Sequence, residues 1–179
     1  MTIICALHVP KKGTWIGADS RVSSRSFVYP MPARKIARIG ARALLVCGSG
    51  MTMTLVKRHQ ARLLAKDDPD AVAMALMQMQ ERAKYRLDKD DASALSYGQV
   101  FIYATPKGVW DIDSAGAWLA VEPGKLWARG NGIDFALGYD LAVRQRGGIP
   151  ERDRIHGALF AATTYDLSCG EPFVIEHLK

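Results

Sequence analysis

Residues 2–9 read TIICALHV, and a turn at Pro10-Lys11-Lys12-Gly13 separates them from TWIGAD at residues 14–19. The first segment is apolar at both odd and even positions, which predicts a strand that is covered on both faces. The turn residues predict that residues 14–19 return beside this strand as a hairpin partner. A strand covered on both faces needs a layer on each side, so this hairpin organises the rest of the chain.

The segments that follow continue the first group of strands. Residues 20–33 contain four serines and two prolines, and they are predicted to be irregular. Two strands are then predicted at about 34–39 and 43–47, joined by a tight turn. Gly48-Ser49-Gly50 ends the second of these strands and starts a helix over about 51–66.

A second helix is predicted from Asp70, its expected N-cap, to about Leu87. Its apolar residues recur at helical spacing, which indicates one buried face. They are Val72, Leu76, Met79, Ala83 and Leu87. The methionines of this helix are expected to fill gaps in the core: Met74, Met77 and Met79.

The second half of the chain repeats the order of strands followed by helices. After a polar loop at 88–96, four strands are predicted, at 100–104, 109–113, 118–121 and 126–129. Gly130-Asn131-Gly132 starts a helix that ends near Gln145. Pro150 lies at or near the first turn of a last helix that ends near Thr164, and residues 172–178 form a closing strand.

Runs of strands separated from runs of helices predict an α+β domain. Two antiparallel sheets packed face to face, with a pair of helices outside each sheet, would bury every apolar face. The length of 179 residues is enough for one domain with a substantial core. Because no linker or internal repeat divides the chain, residues 1–179 are expected to form a single domain.

The composition argues against several classes of protein. The chain is 49% apolar and 23% charged, which is typical of a soluble globular protein. It has no apolar run of about 18 residues and no recognisable secretory signal, so we expect a cytoplasmic location without a membrane partner. The net charge of +6 is spread along the chain without an aromatic-interleaved basic block, which argues against nucleic-acid binding.

The three cysteines are far apart, and none of the four histidines lies in a metal-ligand spacing. Buried free thiols are therefore expected rather than disulfides. We expect neither a metal site nor an organic cofactor. The cysteines are Cys5, Cys47 and Cys169.

Thr2 is the candidate nucleophile of the chain. If Met1 is removed, Thr2 carries a hydroxyl group and a free amine on adjacent atoms. A threonine hydroxyl is a weak nucleophile at its own pKa, and the α-amine of the same residue can act as the base that activates it. Threonine is common as the second residue of a protein, so Thr2 is a candidate only because of the other residues that accompany it in the sequence.

Asp19, Lys35 and the turn Gly48-Ser49-Gly50 are the neighbours that matter. A buried charge pair and backbone amides in a turn are parts that an acyl-transfer site needs. Each also has a structural alternative. Asp19 could cap the turn that follows the hairpin, Lys35 could be an exposed charge at a sheet edge, and the glycines could serve only a positive φ.

Four motifs, in this order within the first fifty residues, resemble proteasome β-type subunits and the HslV peptidase, which are N-terminal nucleophile (Ntn) hydrolases. The motifs are Thr2-Ile3-Ile4, Ala18-Asp19-Ser20-Arg21, Arg34-Lys35-Ile36 and Gly48-Ser49-Gly50. The resemblance continues weakly through Gly130-Asn131-Gly132 and Asp166-Leu167-Ser168-Cys169-Gly170. It implies the four-layer α-β-β-α sandwich of a bacterial proteasome homologue, which agrees with the element order.

The resemblance also implies roles for individual residues. Thr2 is the nucleophile, and its own amine takes the hydroxyl proton through a water molecule. Lys35, paired with Asp19, lowers the pKa of the Thr2 groups by its charge. The Gly48 N–H points at the developing oxyanion. Two residues are assigned to substrate binding, with an apolar preference beside the cut bond: Val46 and Ser49.

The motifs in the C-terminal half depart from the family pattern. The family usually has a serine where Asn131 stands, and an asparagine amide relays protons less well than a hydroxyl group. Asn131 is also expected to be a helix N-cap. Asp166 fits the second aspartate of the family. The serine that follows in the family is either Ser168 or is replaced by Cys169.

Three functions remain open on this reading. The first is a threonine endopeptidase, a subunit of a self-compartmentalised ring that cuts polypeptides. The second is a ring-forming protein that is catalytically weak or silent, which the change at Asn131 favours. The third is another amide hydrolase of the same fold. The family implies homo-oligomers in stacked rings of six or seven subunits and an ATP-dependent unfoldase as partner.

Overall fold

A computed structural model of the chain describes residues 2–23, 28–30, 35–84 and 99–179. The first half of the described chain forms β1 (Ile3–Val9), β2 (Gly13–Asp19), β3 (Arg21–Ser23), β4 (Val28–Pro30), β5 (Ile36–Ile39), β6 (Arg42–Cys47), α1 (Gly50–Leu63) and α2 (Pro69–Lys84). The second half forms β7 (Val100–Thr105), β8 (Gly108–Ile112), β9 (Trp118–Ala120), β10 (Leu126–Gly130), α3 (Ile133–Arg146), α4 (Glu151–Tyr165) and β11 (Phe173–Leu178).

The long strands form two antiparallel sheets. One sheet has four strands in the order β10-β1-β2-β11, and the other has five strands in the order β5-β6-β7-β8-β9. The hairpin of β1 and β2 lies at the centre of the four-stranded sheet, with Ile4 opposite Ala18. The first strand of the chain is therefore flanked by a strand on each side.

Three apolar clusters show that the two sheets and the two helix pairs form four layers. One cluster lies between the sheets and joins Ile4 and Ile16 to Leu45 and Ile102. A second cluster packs the four-stranded sheet against α3 and α4. The third packs the five-stranded sheet against α1 and α2. The predicted α-β-β-α sandwich is confirmed.

Strand β1 shows why the apolar pattern at both parities matters. Ile3, Cys5 and Leu7 pack toward the helix layer, whereas Ile4 and Ala6 pack toward the other sheet. All five side chains are fully buried. Because successive side chains of a strand point to opposite faces, such a strand is stable only when both faces are covered.

The structure differs from the sequence prediction in the region 20–33. This region was expected to be irregular, but β3 and β4 pair there as a short antiparallel ribbon, with Val22 opposite Tyr29. The prediction was wrong for these two strands. The four serines and two prolines of the region are typical of a loop, and each strand has only three residues, which is too short to show an alternating pattern.

Helix α2 also differs in two details. It begins at Pro69, and its N-cap is Asp68, whose carboxylate accepts the backbone N–H groups of Asp70 and Ala71 at 3.2 and 3.3 Å. Met79 is buried, but Met74 and Met77 are exposed because they lie on the outer face of the helix. The predicted end of this helix near Leu87 and the predicted loop at 88–96 lie outside the described residues.

Within the described residues, no helix has the length and apolar character needed to cross a membrane.

Candidate active site

The hairpin register brings the start of β1 next to the end of β2. Because Ile4 lies opposite Ala18, Thr2 lies beside the residues that follow Ala18, including Asp19. Thr2 and Asp19 are each only 1% exposed. Two of the predicted site residues therefore meet at one buried end of the central hairpin.

The Asp19 carboxylate is the centre of the site. Its Oδ1 atom accepts hydrogen bonds from the Thr2 hydroxyl group at 3.2 Å, from the Ile3 backbone N–H at 2.8 Å and from Lys35 Nζ at 2.5 Å. Its Oδ2 atom accepts the backbone N–H groups of Arg21 and Gly170, at 3.2 and 3.1 Å. A buried carboxylate is costly unless it is paired and hydrogen-bonded, and these five donors meet that requirement.

Lys35 reaches this carboxylate from the opposite sheet. It directly precedes β5, and its backbone carbonyl accepts the N–H of Val46 in β6 at 2.8 Å. Its Nζ atom also donates to the Arg21 carbonyl oxygen at 2.7 Å. The side chain is buried, so the alternative of an exposed edge lysine is wrong. Burial lowers the pKa of Lys35 from its ordinary value, against the opposing effect of Asp19, which raises it.

Asp19 also caps the turn that follows the hairpin, which was the structural alternative for this residue. Its Oδ2 atom accepts the N–H of Arg21 two residues later, which is the local bond expected of an aspartate that caps a turn. The two interpretations are compatible, since one oxygen caps the turn and the other contacts Thr2 and Lys35.

The glycine turn follows β6 and leads into α1, whose first residue is Gly50. Ser49 caps the helix, because its Oγ atom accepts the backbone N–H of Thr52 at 3.2 Å. The backbone N–H of Ser49 donates to the side-chain oxygen of Gln99 at 3.3 Å. The Ser49 hydroxyl is thus engaged in the helix cap, and its role in substrate binding stays a prediction.

Val46 and Cys47 point to opposite sides of the five-stranded sheet. Val46 is fully buried in the cluster that includes Met53 and Phe101 under α1 and α2. Cys47 packs instead at the layer between the sheets, where burial raises the pKa of its thiol to about 11. The proposed role of Val46 as the floor of a substrate pocket stays a prediction.

Asn131 contacts Thr2 through its backbone. Its N–H donates to the Thr2 carbonyl oxygen at 3.0 Å, and a Cβ atom on Gly130 would lie 1.9 Å from that same oxygen. The N-cap of α3 is Gly132, so the expectation that Asn131 caps this helix was wrong. The close approach of Gly130 leaves room for no side chain at this position.

Asp166 and Ser168 build the loop that follows α4. The Asp166 carboxylate accepts the N–H and the hydroxyl of Ser168 at 2.8 and 2.5 Å. The loop delivers Gly170, which donates its N–H to Asp19 and accepts the N–H of Ser20 at 3.1 Å. These two predicted site residues therefore connect to the Asp19 carboxylate through the loop that carries Gly170.

Cys169 is fully buried in this loop, next to the buried Gly170. Its Sγ atom lies 3.5 Å from the position of a Cβ atom built on Gly132. Burial, with the Asp19 and Asp166 carboxylates, raises the pKa of its thiol to about 11. Of the two residues that could follow Asp166 in the family pattern, Cys169 is the one that points inward.

Three residues of the site were missed from the sequence: Arg21, Gly170 and Gln99. Arg21 binds Asp19 and Lys35 through its backbone, and its guanidinium group donates to the Leu167 carbonyl oxygen at 2.5 Å. A Cβ atom on Gly170 would lie 2.4 Å from Arg21 Nε. Arg21 and Gly170 both belong to motifs quoted from the sequence. Their contact joins residues that are far apart in the chain, so no local sequence pattern indicates it.

In the ranges 2–23, 28–30, 35–84 and 99–179, no group of three or more histidine, cysteine, aspartate or glutamate side chains is placed to hold a metal ion.

Solved structures with the same arrangement of layers were found by comparison. BPH from Thiobacillus denitrificans in complex with epoxomicin has a TM-score of 0.78 and 16% identity, covering 99% of this chain and 100% of that chain. Eukaryotic HslV from Trypanosoma brucei has a TM-score of 0.73 and 19% identity, covering 98% of each chain. Anbu, described as an ancestral β-subunit, from Yersinia bercovieri has a TM-score of 0.70 and 15% identity, covering 97% of this chain and 80% of that chain.

The chain has the proteasome-like fold. Its likeness to BPH, HslV and Anbu extends over nearly its whole length. No protein-family model matches the sequence, and no curated protein matches it. At these sequence identities the similarity to the three structures shows a shared fold and no more. The chemistry of the site depends on the residues of this chain.

The buried pair of Asp19 and Lys35 yields a stability prediction. Lys35→Met is expected to lower the free energy of unfolding by about 3 kcal/mol or more, because it leaves a buried carboxylate without its cation. Lys12→Met is the matched control, since the Lys12 side chain is 63% exposed in its pair with Glu151 and such pairs contribute about 1 kcal/mol or less. Denaturant unfolding at neutral pH measures both values, and equal small losses would contradict the prediction.

Proposed function

We propose that this chain is a threonine-type peptidase subunit, a single proteasome-like domain whose nucleophile is Thr2 once Met1 has been removed. The observation that carries the proposal is the Asp19 Oδ1 atom, which contacts both the Thr2 hydroxyl group and the Lys35 amine inside the fold. A hydroxyl held beside a buried charge pair is the arrangement that activates a weak nucleophile.

The reaction begins with a proton transfer at Thr2. The free α-amine takes the hydroxyl proton through a water molecule, and Oγ forms a bond to the carbonyl carbon of the peptide. The carbonyl π electrons move to the oxygen, which the Gly48 N–H stabilises as an oxyanion. When the oxyanion collapses, the C–N bond breaks and the leaving amine takes the proton from the α-ammonium group. Water then hydrolyses the ester on Thr2 by the same steps.

Lys35 and Asp19 support the first of these steps. A positive charge near the Thr2 hydroxyl favours the deprotonated oxygen and so lowers the pKa of that group. Asp19 holds the lysine in place and accepts the Ile3 N–H, which fixes the backbone that carries Thr2. We assign positioning rather than proton transfer to Asp19.

Asn131, Asp166 and Ser168 have supporting roles in this proposal. Asn131 fixes the carbonyl group of Thr2 through its backbone N–H. Asp166 and Ser168 stabilise the loop that presents Gly170 to Asp19. Their contribution is to hold the nucleophile still, and a 1 Å displacement of a reacting group is costly in rate.

The proposed substrates are polypeptides with an apolar residue before the cut bond. Val46 would form the floor of the pocket for that residue, with Ser49 beside it on the glycine turn. Val46 is itself fully buried against Met53 and Phe101, so a pocket that opened onto it would be apolar, which is the reason for the predicted preference. Reporter peptides with leucine before the cut are expected to be cleaved faster than those with aspartate or lysine, and the reverse order would reject this assignment.

A second candidate function is a proteasome-like assembly protein with weak or no catalysis. One observation favours it: Asn131 stands where the proteasome β-type family has a serine, and an asparagine amide relays protons less well than a hydroxyl group.

The leading proposal predicts that Thr2 is the modified residue when the protein meets a threonine-reactive electrophile such as a peptide vinyl sulfone. Intact mass should show a chain without Met1 that gains one inhibitor, and peptide mapping should place the inhibitor on Thr2. Thr2→Ala is expected to abolish both the adduct and reporter hydrolysis, whereas Thr2→Ser, which keeps a hydroxyl group, should retain part of each.

Thr163→Ala is the control for this experiment, because the Thr163 hydroxyl group donates within its own helix, to the Phe160 carbonyl oxygen at 3.0 Å. It should behave as the unchanged protein. Retention of Met1 in the protein from its native cell, with no adduct on the processed chain, would favour the silent assembly protein.

We further propose that the chain assembles with copies of itself into stacked rings of six or seven subunits in the cytoplasm, with an ATP-dependent unfoldase as partner. Large apolar side chains are exposed on or near the outer helices, and two of them, Phe135 and Tyr165, stack with their ring centroids 5.1 Å apart. Contiguous exposed apolar surface is typical of an interaction site, which supports self-association. In α3, in α4 and just after α4 the exposed side chains are Phe135, Leu141, Phe160, Tyr165 and Leu167.

The assembly proposal predicts a particle of several subunits by light scattering. Phe160→Glu is expected to reduce the particle mass, because it replaces an exposed apolar side chain of α4 by a charged one. Thr54→Glu, at an exposed position of α1 on the opposite helix layer, is the control and should leave the mass unchanged. A protein that is monomeric before any substitution would contradict the proposal.

A further inference from the structure

Gln99 is a buried polar residue that has no role in the proposed peptide hydrolysis. It directly precedes β7 and is only 2% exposed. Because Cys47 lies opposite Val100 in the antiparallel pair of β6 and β7, Gln99 lies opposite Gly48. The side chain therefore stands beside the glycine turn.

The contacts of Gln99 are with the backbone of that turn. Its Oε1 atom accepts the Ser49 N–H at 3.3 Å. A Cβ atom on Gly48 would lie 1.8 Å from Oε1 and 2.7 Å from the side-chain carbonyl carbon. The carboxamide thus lies directly against the Gly48 backbone, which explains why residue 48 has no side chain.

The turn needs such an external support. Glycine loses more backbone freedom on folding than any other residue, and two of the three turn residues are glycines. On its other side, the turn is fixed by the helix cap, since the Ser49 hydroxyl and carbonyl both bind α1, at the N–H groups of Thr52 and Met53. Gln99 fixes the remaining N–H of Ser49.

We infer that Gln99 is a positioning residue: it fixes the Gly48–Ser49 peptide and packs against Gly48, and so restrains the adjoining Cys47–Gly48 peptide, whose N–H is the proposed oxyanion donor. This inference rests on the proposed function for its catalytic meaning, and on the contacts of Gln99 for its structural meaning. Donors of an oxyanion site act through preorganisation, since they are already oriented when the charge develops.

The experiment compares Gln99→Met with Gln80→Met. Methionine has a similar length but no strong acceptor, and Gln80 is a glutamine of similar burial in α2. Two readouts are measured on the full chain: amide hydrogen exchange of the segment 47–53 without substrate, and kcat and KM for a reporter peptide. Gln99→Glu, which retains an oxygen at the same place, tests rescue of the slow exchange.

Gln99→Met is expected to speed exchange in the segment 47–53 about tenfold and to lower kcat about tenfold or more, with KM changed less than about twofold. Gln99→Glu should keep the exchange slow, and Gln80→Met should leave both readouts unchanged. If Gln99→Met fails to fold, Gln99→Asn withdraws the same group by one methylene and carries the same expectation.

The outcomes separate this inference from the proposed function. Faster exchange in a protein that never hydrolyses a reporter supports the structural role of Gln99 and rejects the peptidase. Unchanged exchange in an active Gln99→Met protein overturns the role of Gln99 and leaves the peptidase standing. Faster exchange with an unchanged kcat overturns the claim that a fixed turn matters for the reaction.

Discussion

One buried carboxylate joins the separate parts of this protein. Asp19 accepts five hydrogen bonds, from the first strand, from the turn after β2, from the loop after α4 and from a lysine of the opposite sheet. An ionised carboxylate away from water is stable only with such partners. The position of Thr2 is a consequence, because the backbone next to it and its hydroxyl group are both held by the same oxygen atom.

The four-layer architecture is what makes this burial feasible. A hairpin that is apolar on both faces is covered by helices on one side and by a second sheet on the other. The end of that hairpin then lies deep between layers, and Lys35 can reach Asp19 only because the second sheet is packed against the first. The charge pair and the sandwich therefore support each other: the layers exclude water, and the pair ties the layers together near Thr2.

Most of the strands and helices and the main residues of the site could be predicted from the sequence. The features that could not be predicted depend on contacts or conformations that no local sequence pattern shows. The strands and helices follow from local periodicity, and the order of Thr2, Asp19 and Lys35 indicated one site. Gln99 escaped because its contact with the glycine turn depends on the register of β6 and β7. The ribbon of β3 and β4 escaped because its composition resembles a loop, and the cap of α3 at Gly132 escaped because asparagine is usually the better cap.

The most direct measurement is a crystal structure of the chain that begins at Thr2, soaked with a peptide aldehyde. An aldehyde carbon accepts a hydroxyl oxygen to give a tetrahedral adduct, which reproduces the geometry of the reaction. The account predicts a bond to the Thr2 side-chain oxygen, with the adduct oxygen within hydrogen-bond distance of the Gly48 N–H and Lys35 still paired with Asp19. An unmodified Thr2 at saturating aldehyde, or an adduct on another residue, would contradict it.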